Sequence, residues 1–99
     1  MTASADSFPA STWPSRYWAQ VSARDFALAQ GSGLAAVTVA VLPVGAVEQH
    51  GPHLPLSVDA SLIDGVIAHA QPLLPADLPV LFLPPQSIGF SVEHSNYAG

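Results

Sequence analysis

The chain has no cysteine and only two basic residues, Arg16 and Arg24. The first absence excludes disulfides and thiolate metal ligands. The second, with a net charge of −5, argues against binding to a nucleic-acid backbone, which needs many cationic contacts. Charged residues of either sign make up 9% of the chain. Long apolar runs are missing too: the longest, from Leu34 to Val47, is broken by Thr38 and Pro43 and falls short of the about 20 residues of a membrane span. The start, Met1 to Phe8, carries Asp6 and no Lys or Arg, unlike a secretory signal. The expectation is a cytoplasmic protein with no membrane segment.

Hydrophobic residues reach 49%, as in a globular domain, and ten prolines cut the 99 residues into short elements. Residues 1–15 read as a flexible lead-in, and 16–99 as a single domain or part of one. Trp13, Tyr17 and Trp18 need covering, by local core or by an oligomer interface. Ser22 with Asp25 three positions on has the spacing of a capped helix start, and Gly31 is its expected stop. The Val- and Ala-rich run after Leu34 predicts a parallel strand over about residues 36–43, buried on both faces.

Asp59 is in place to cap a second helix, with Leu62, Ile63, Val66, Ile67 and Ala70 at helical spacing as far as Pro72. A second strand is expected over residues 79–83, ahead of Pro84 and Pro85. Strand, helix, strand in that order is a βαβ unit, and the fold class is α/β.

The chemistry gathers in Glu48-Gln49-His50-Gly51-Pro52-His53-Leu54-Pro55-Leu56-Ser57-Val58-Asp59. Two of the four histidines and two of the seven acidic residues fall inside it. Imidazole with carboxylate suits zinc, manganese and similar cations. Glu48 and His50 are two apart, so on extended backbone they point the same way, beyond the carboxyl end of a parallel strand where α/β sites usually lie. Gly51-Pro52 then turns the chain. The alternative is that Glu48 is a solvated loop residue, that His50 and His53 bond to backbone, and that Asp59 is only a cap. Spacing alone leaves both readings open. Ser87 to His94, after the second strand, is a further candidate loop at the same sheet edge, and His69 reads as a surface residue.

The run Leu42-Pro43-Val44-Gly45-Ala46-Val47-Glu48-Gln49-His50-Gly51-Pro52-His53-Leu54-Pro55-Leu56, followed by Asp59, resembles the signature of the creatininase (creatinine amidohydrolase) family. Gly89-Phe90-Ser91-Val92-Glu93-His94 with Tyr97-Ala98-Gly99 is similar to that family's second motif, with Ala98 where proline is usual. The resemblance covers roughly Trp18 to Gly99. It implies a layered α/β/α fold with a mainly parallel sheet, a site for two zinc or manganese ions, and a homo-oligomer. It implies that Glu48 and His50 each hold one metal and that Asp59 bridges both. Ser91, Glu93 and His94 would then line the substrate side, and His53 would support the loop. The implied reaction is hydrolysis of a C–N amide bond by metal-activated water, in a creatinine-like cyclic amide, a formamide or a peptide. The family's later His-x-Glu pair does not occur up to Gly99. The expectation is therefore the amino-terminal portion of such a domain, the alternative being a truncated, non-catalytic metal-binding chain that works only with a separate carboxyl-terminal half.

Overall fold

The computed structural model describes residues 12–99, so most of the expected lead-in lies outside the described residues. The chain packs as two compact units: residues up to Val41 with Leu73–Pro84, and Leu42–Pro72 with Pro85–Gly99.

The first unit holds α1 (Ala23–Ser32), α2 (Leu34–Val37), β1 (Val39–Val41) and β2 (Val80–Phe82). At the start of α1, Ser22 Oγ accepts from the Asp25 N–H and the Asp25 carboxylate accepts from the Ser22 N–H, both at 3.1 Å. This reciprocal cap satisfies two of the donors that a helix start leaves open. The helix passes the expected stop at Gly31 and ends instead at Gly33, whose φ of 87° supplies the left-handed turn. The expected strand over 36–43 is shorter than its sequence suggests, because Leu34–Val37 coils into α2. Leu34 is fully buried, and Thr38 Oγ1 donates to the Leu34 carbonyl at 2.7 Å, closing the turn. A continuous apolar run has no period with which to tell the two conformations apart.

β1 and β2 pair in parallel, with Val39, Ala40 and Val41 opposite Val80, Leu81 and Phe82. The expected burial of the first strand on both faces is not found: no residue of β1 is buried and Val39 is 59% exposed, while Leu81 and Phe82 of β2 are buried. Trp13 and Trp18 pack against Phe26, with ring centroids 5.3 and 4.5 Å apart, and Tyr17 lies 6.2 Å from Phe82. The Trp13 indole N–H donates to Thr38 Oγ1 at 2.9 Å, so Trp13 packs locally with its polar edge satisfied, while Trp18 stays 40% exposed beside Phe26. Arg16 donates to the carbonyls of Pro75 and Leu78, tying the start of the unit to the loop before β2.

The second unit holds α3 (Val58–Ala70) and the loops on either side of it in sequence. A single parallel bridge, Val44 with Gln86, is made by Gly45 N–H to the Gln86 carbonyl at 2.9 Å and Gln86 N–H to the Pro43 carbonyl at 2.8 Å. The prolines beside it, Pro43, Pro84 and Pro85, have no N–H with which to extend the ladder. α3 starts one residue before Asp59, and the cap position belongs to Ser57. Asp59 is therefore a first-turn residue and not the expected cap. The Ala60 N–H donates to the Ala46 carbonyl at 3.3 Å, and this loop contact satisfies one helix-start donor in place of a side chain. The helix stops at Ala70, and Gln71–Leu73 continues as a 3₁₀ turn containing Pro72. The apolar stripe of α3 is open, with Leu62 and Val66 about 60% exposed and no residue of the helix buried. No helix among the described residues is long and apolar enough to cross a membrane.

Candidate metal centre and substrate loop

Backbone hydrogen bonds shape the loop that carries the chemistry. The Glu48 N–H donates to the Leu56 carbonyl at 3.0 Å, closing a loop that contains Pro52 and Pro55. Gly51 turns it with a φ of 79°, a conformation costly for any residue with a side chain. Gly45 lets the loop approach α3 so closely that a side-chain carbon there would stand 3.0 Å from Ala60 Cα. This seam sets Asp59, in the first turn of the helix, opposite the motif loop.

The expected residues come together in two groups. His50 and Asp59 form one, with Nε2 3.1 Å from Asp59 Oδ1. Glu48 joins the other: its Oε1 lies 3.6 Å from His94 Nε2, and Glu93 Oε1 lies 4.0 Å from the same nitrogen. Ser91 caps the 3₁₀ turn Val92–His94, and its carbonyl accepts from the His94 N–H at 3.1 Å, which fixes the histidine's backbone. Glu48, Ser91 and His94 line a cavity of about 300 Å³, together with Phe90 and Tyr97. His53 is exposed, its ring lying beside Gly51. His69 is a surface residue, its Nδ1 2.8 Å from the Gly65 carbonyl one turn earlier.

The chain's own donors fit a divalent cation on two counts. Glu48 Oε2 is buried and has no hydrogen-bond partner. A carboxylate oxygen left so is costly unless a cation meets it. His50 Nδ1 lies 3.1 Å from the Glu48 carbonyl, which can only accept. The ring must donate there, so in the neutral imidazole Nε2 is a bare lone pair facing the Asp59 carboxylate. Two acceptors at 3.1 Å need a positive charge between them or on the ring. Accordingly the His50 pKa is raised above 6.5, first by the bond to the Glu48 carbonyl and then by the charge of Asp59, with desolvation opposing.

The family model described as creatinine amidohydrolase matches residues 24–99. The chain belongs to the creatininase family. It is 41% identical over 66 residues to the mycofactocin precursor peptide peptidase of Mycolicibacterium smegmatis, and 42% identical over 65 residues to the protein of that name from Mycobacterium tuberculosis. These alignments take in 64% and 60% of this chain and 26% of each relative, so the chain spans about a quarter of the length of the curated relatives it matches. No solved structure matches the chain significantly. The creatininase match spans both groups of site residues, including Glu93 and His94, which the residues alone offered only within a candidate loop.

Gln49, which no spacing rule singles out, has its side chain 2.6 Å from His94. Its position inside the motif, between two ligand-type residues, is the signal that marks it. Phe90, within the candidate loop Ser87 to His94, also lines the cavity.

Proposed function

We propose that this chain supplies the Glu48, His50 and Asp59 side of a metal-dependent amidohydrolase centre, and that the bond cleaved is the C–N amide of a peptide. Two observations carry the reading: the buried, unpartnered Glu48 Oε2 and, in the other group, an imidazole and a carboxylate that face each other as two acceptors. Glu48, His50 and Asp59 would hold the ion or ions, zinc or manganese. A divalent cation held there supplies Lewis acidity toward a carbonyl oxygen and lowers the pKa of bound water. The protein's own part is to hold Glu48 by its backbone bond to Leu56, to orient His50 through the Glu48 carbonyl, and to present Asp59 from the first turn of α3.

The cavity beside Glu48 is the substrate side. Its volume of about 300 Å³ is at the small end of the range for ligand pockets and suits one or two residues of an extended peptide. Phe90 and Tyr97 offer apolar contact, and Ser91 and His94 offer polar groups for an amide. The peptide substrate is favoured over a cyclic amide or a formamide by the names of the two relatives. A homo-oligomer would cover the open stripe of α3. A second reading, a metal-holding chain that turns over only with a separate carboxyl-terminal half, is favoured by the division of the ligand-type residues into two groups.

The test is elemental analysis and calorimetric titration of the purified chain with zinc and manganese, beside His50→Ala and Asp59→Ala. Binding that is lost in both variants is expected. Equal binding by all three proteins would overturn the metal assignment. Mass spectrometry of short peptides, creatinine and a formamide incubated with the metal-loaded chain then tests the substrate. Cleavage of peptides alone supports the first reading, and metal binding without turnover of any of them supports the second.

A further inference from the structure

We propose that Gln49 is a positioning residue that fixes the tautomer of His94, so that His94 presents an N–H to the cavity and is a hydrogen-bond donor there, not a metal ligand. The directions of the hydrogen bonds carry this. The Gly51 N–H can only donate, and it lies 3.0 Å from Gln49 Oε1. The amide orientation of Gln49 is thereby settled, since turning it over would set two donors against each other. Its Nε2 then donates to His94 Nδ1, 2.6 Å away. An imidazole nitrogen that accepts carries no proton, so in the neutral ring the proton is on Nε2. That nitrogen lies 3.6 Å from Oε1 of Glu48, which lines the cavity with His94, and 4.0 Å from Glu93 Oε1.

Ligand atoms of Glu48, Glu93 and His94 lie within 4.8 Å of one another, which by distance alone is a possible cation cage. The tautomer excludes His94 from it. Coordination would need a lone pair on Nε2, moving the proton to Nδ1 against the Gln49 amide. Gly51 is part of the device, because its φ of 79° belongs to the turn that brings its N–H back to Gln49. The tautomer stands independently of the hydrolase reading. The use of the N–H, to donate a hydrogen bond to a substrate carbonyl, rests on that reading.

The experiment is long-range ¹H–¹⁵N correlation of the histidine rings in the full 99-residue chain, metal-free, at a pH of about 9 where imidazole is neutral. His94 should show a protonated Nε2 and a bare Nδ1. The near-isosteric Gln49→Glu can only accept at both ends, so it should move the proton to Nδ1 while the other rings keep their shifts. Adding zinc should perturb His50 but not His94 in the parent chain, and both rings in Gln49→Glu. A protonated Nδ1 in the parent would overturn the proposal, whether or not the variant folds. So would zinc coordination by His94 in the parent. A failure of the metal assignment would instead appear as His50 unmoved by zinc with the His94 tautomer intact.

Discussion

Replacing Gly45 by alanine should break the seam that holds the motif loop against α3. The new methyl carbon would stand 3.0 Å from Ala60 Cα, 3.3 Å from Ala60 N and 3.3 Å from Ile63 Cγ2. Carbon atoms prefer about 3.5–4.0 Å, and two of these neighbours are backbone that cannot rotate away. Overpacking of this kind costs about 1–3 kcal/mol. The Ala60 N–H to Ala46 carbonyl bond is already 3.3 Å long and crosses the same seam, so its loss adds about 1 kcal/mol. Against this, removing a glycine stiffens the unfolded chain and returns about 0.4–1 kcal/mol. The net destabilisation is about 2 kcal/mol. Gly65→Ala is the internal control, because Gly65 is within α3 and nothing lies within 4 Å of its added carbon. There alanine should stabilise by about 0.5–1 kcal/mol. Urea unfolding followed by circular dichroism should place the Gly45→Ala midpoint roughly 1–2 M below that of Gly65→Ala, given a slope of about 1–3 kcal/mol/M. Equal midpoints, or Gly45→Ala the more stable of the two, would refute the close-approach argument.

Ser22→Ala removes one half of the reciprocal cap and should cost about 1 kcal/mol, read as a lower urea midpoint; no change would mean that the cap is not made in solution. Leu81→Ala empties a fully buried site and should cost about 2–5 kcal/mol, seen as loss of the cooperative transition or a large drop in its midpoint. Asp59→Asn should lower the titration midpoint of His50 followed by NMR in the metal-free chain, because the carboxylate is one of the groups that raise it. A raised folded pKa gives stability that is fully present below the unfolded value and lost as pH rises through the folded one. The variant should therefore lose more stability at a pH of about 5 than at about 9. In the metal-loaded chain the order reverses, since protons compete for His50, and affinity should grow as pH rises through its pKa. An unshifted His50 midpoint in Asp59→Asn would sink the pairing.

The α/β class was legible from alternating strand and helix patterns, and the cap at Ser22 from two residues at the right spacing. The second strand was legible because proline brackets it on both sides. The conversion of Leu34–Val37 to helix was not, since the run Leu-Ala-Ala-Val is equally compatible with either state until Leu34 finds its buried place. The stop at Gly33 in place of Gly31 also lay beyond local reading, because both are glycines and only the left-handed turn separates them. In the site, the motif marked out its chemistry by composition, but alternation along an extended strand could not assign its directions. Regular strand geometry ends at Val41, and the backbone from there to Glu48 is irregular apart from the bridge at Val44. Thus Glu48 turns its carboxylate to His94, while His50 reaches Asp59. The contact between Gln49 and His94 spans 45 residues and depends on the direction of a single N–H, which no spacing rule encodes.

The two units differ in what holds them. Among the described residues, the buried hydrophobic residues Ala29, Leu34, Leu81 and Phe82 all belong to the first, whereas the second has only Pro43 buried. The site-bearing unit instead relies on backbone bonds across its loops, on prolines that limit the unfolded ensemble, and on the seam at Gly45. Such a unit has little apolar burial with which to offset the cost of leaving Glu48 Oε2 buried and alone. A cation that binds only the folded loop would add about 2.7 kcal/mol at a hundred times its dissociation constant. That is comparable to the whole effect of a core substitution. For a chain that holds such a cation, metal binding and folding of the loop from Gly45 to Asp59 would be one equilibrium, in which the ligand residues also hold the loop together.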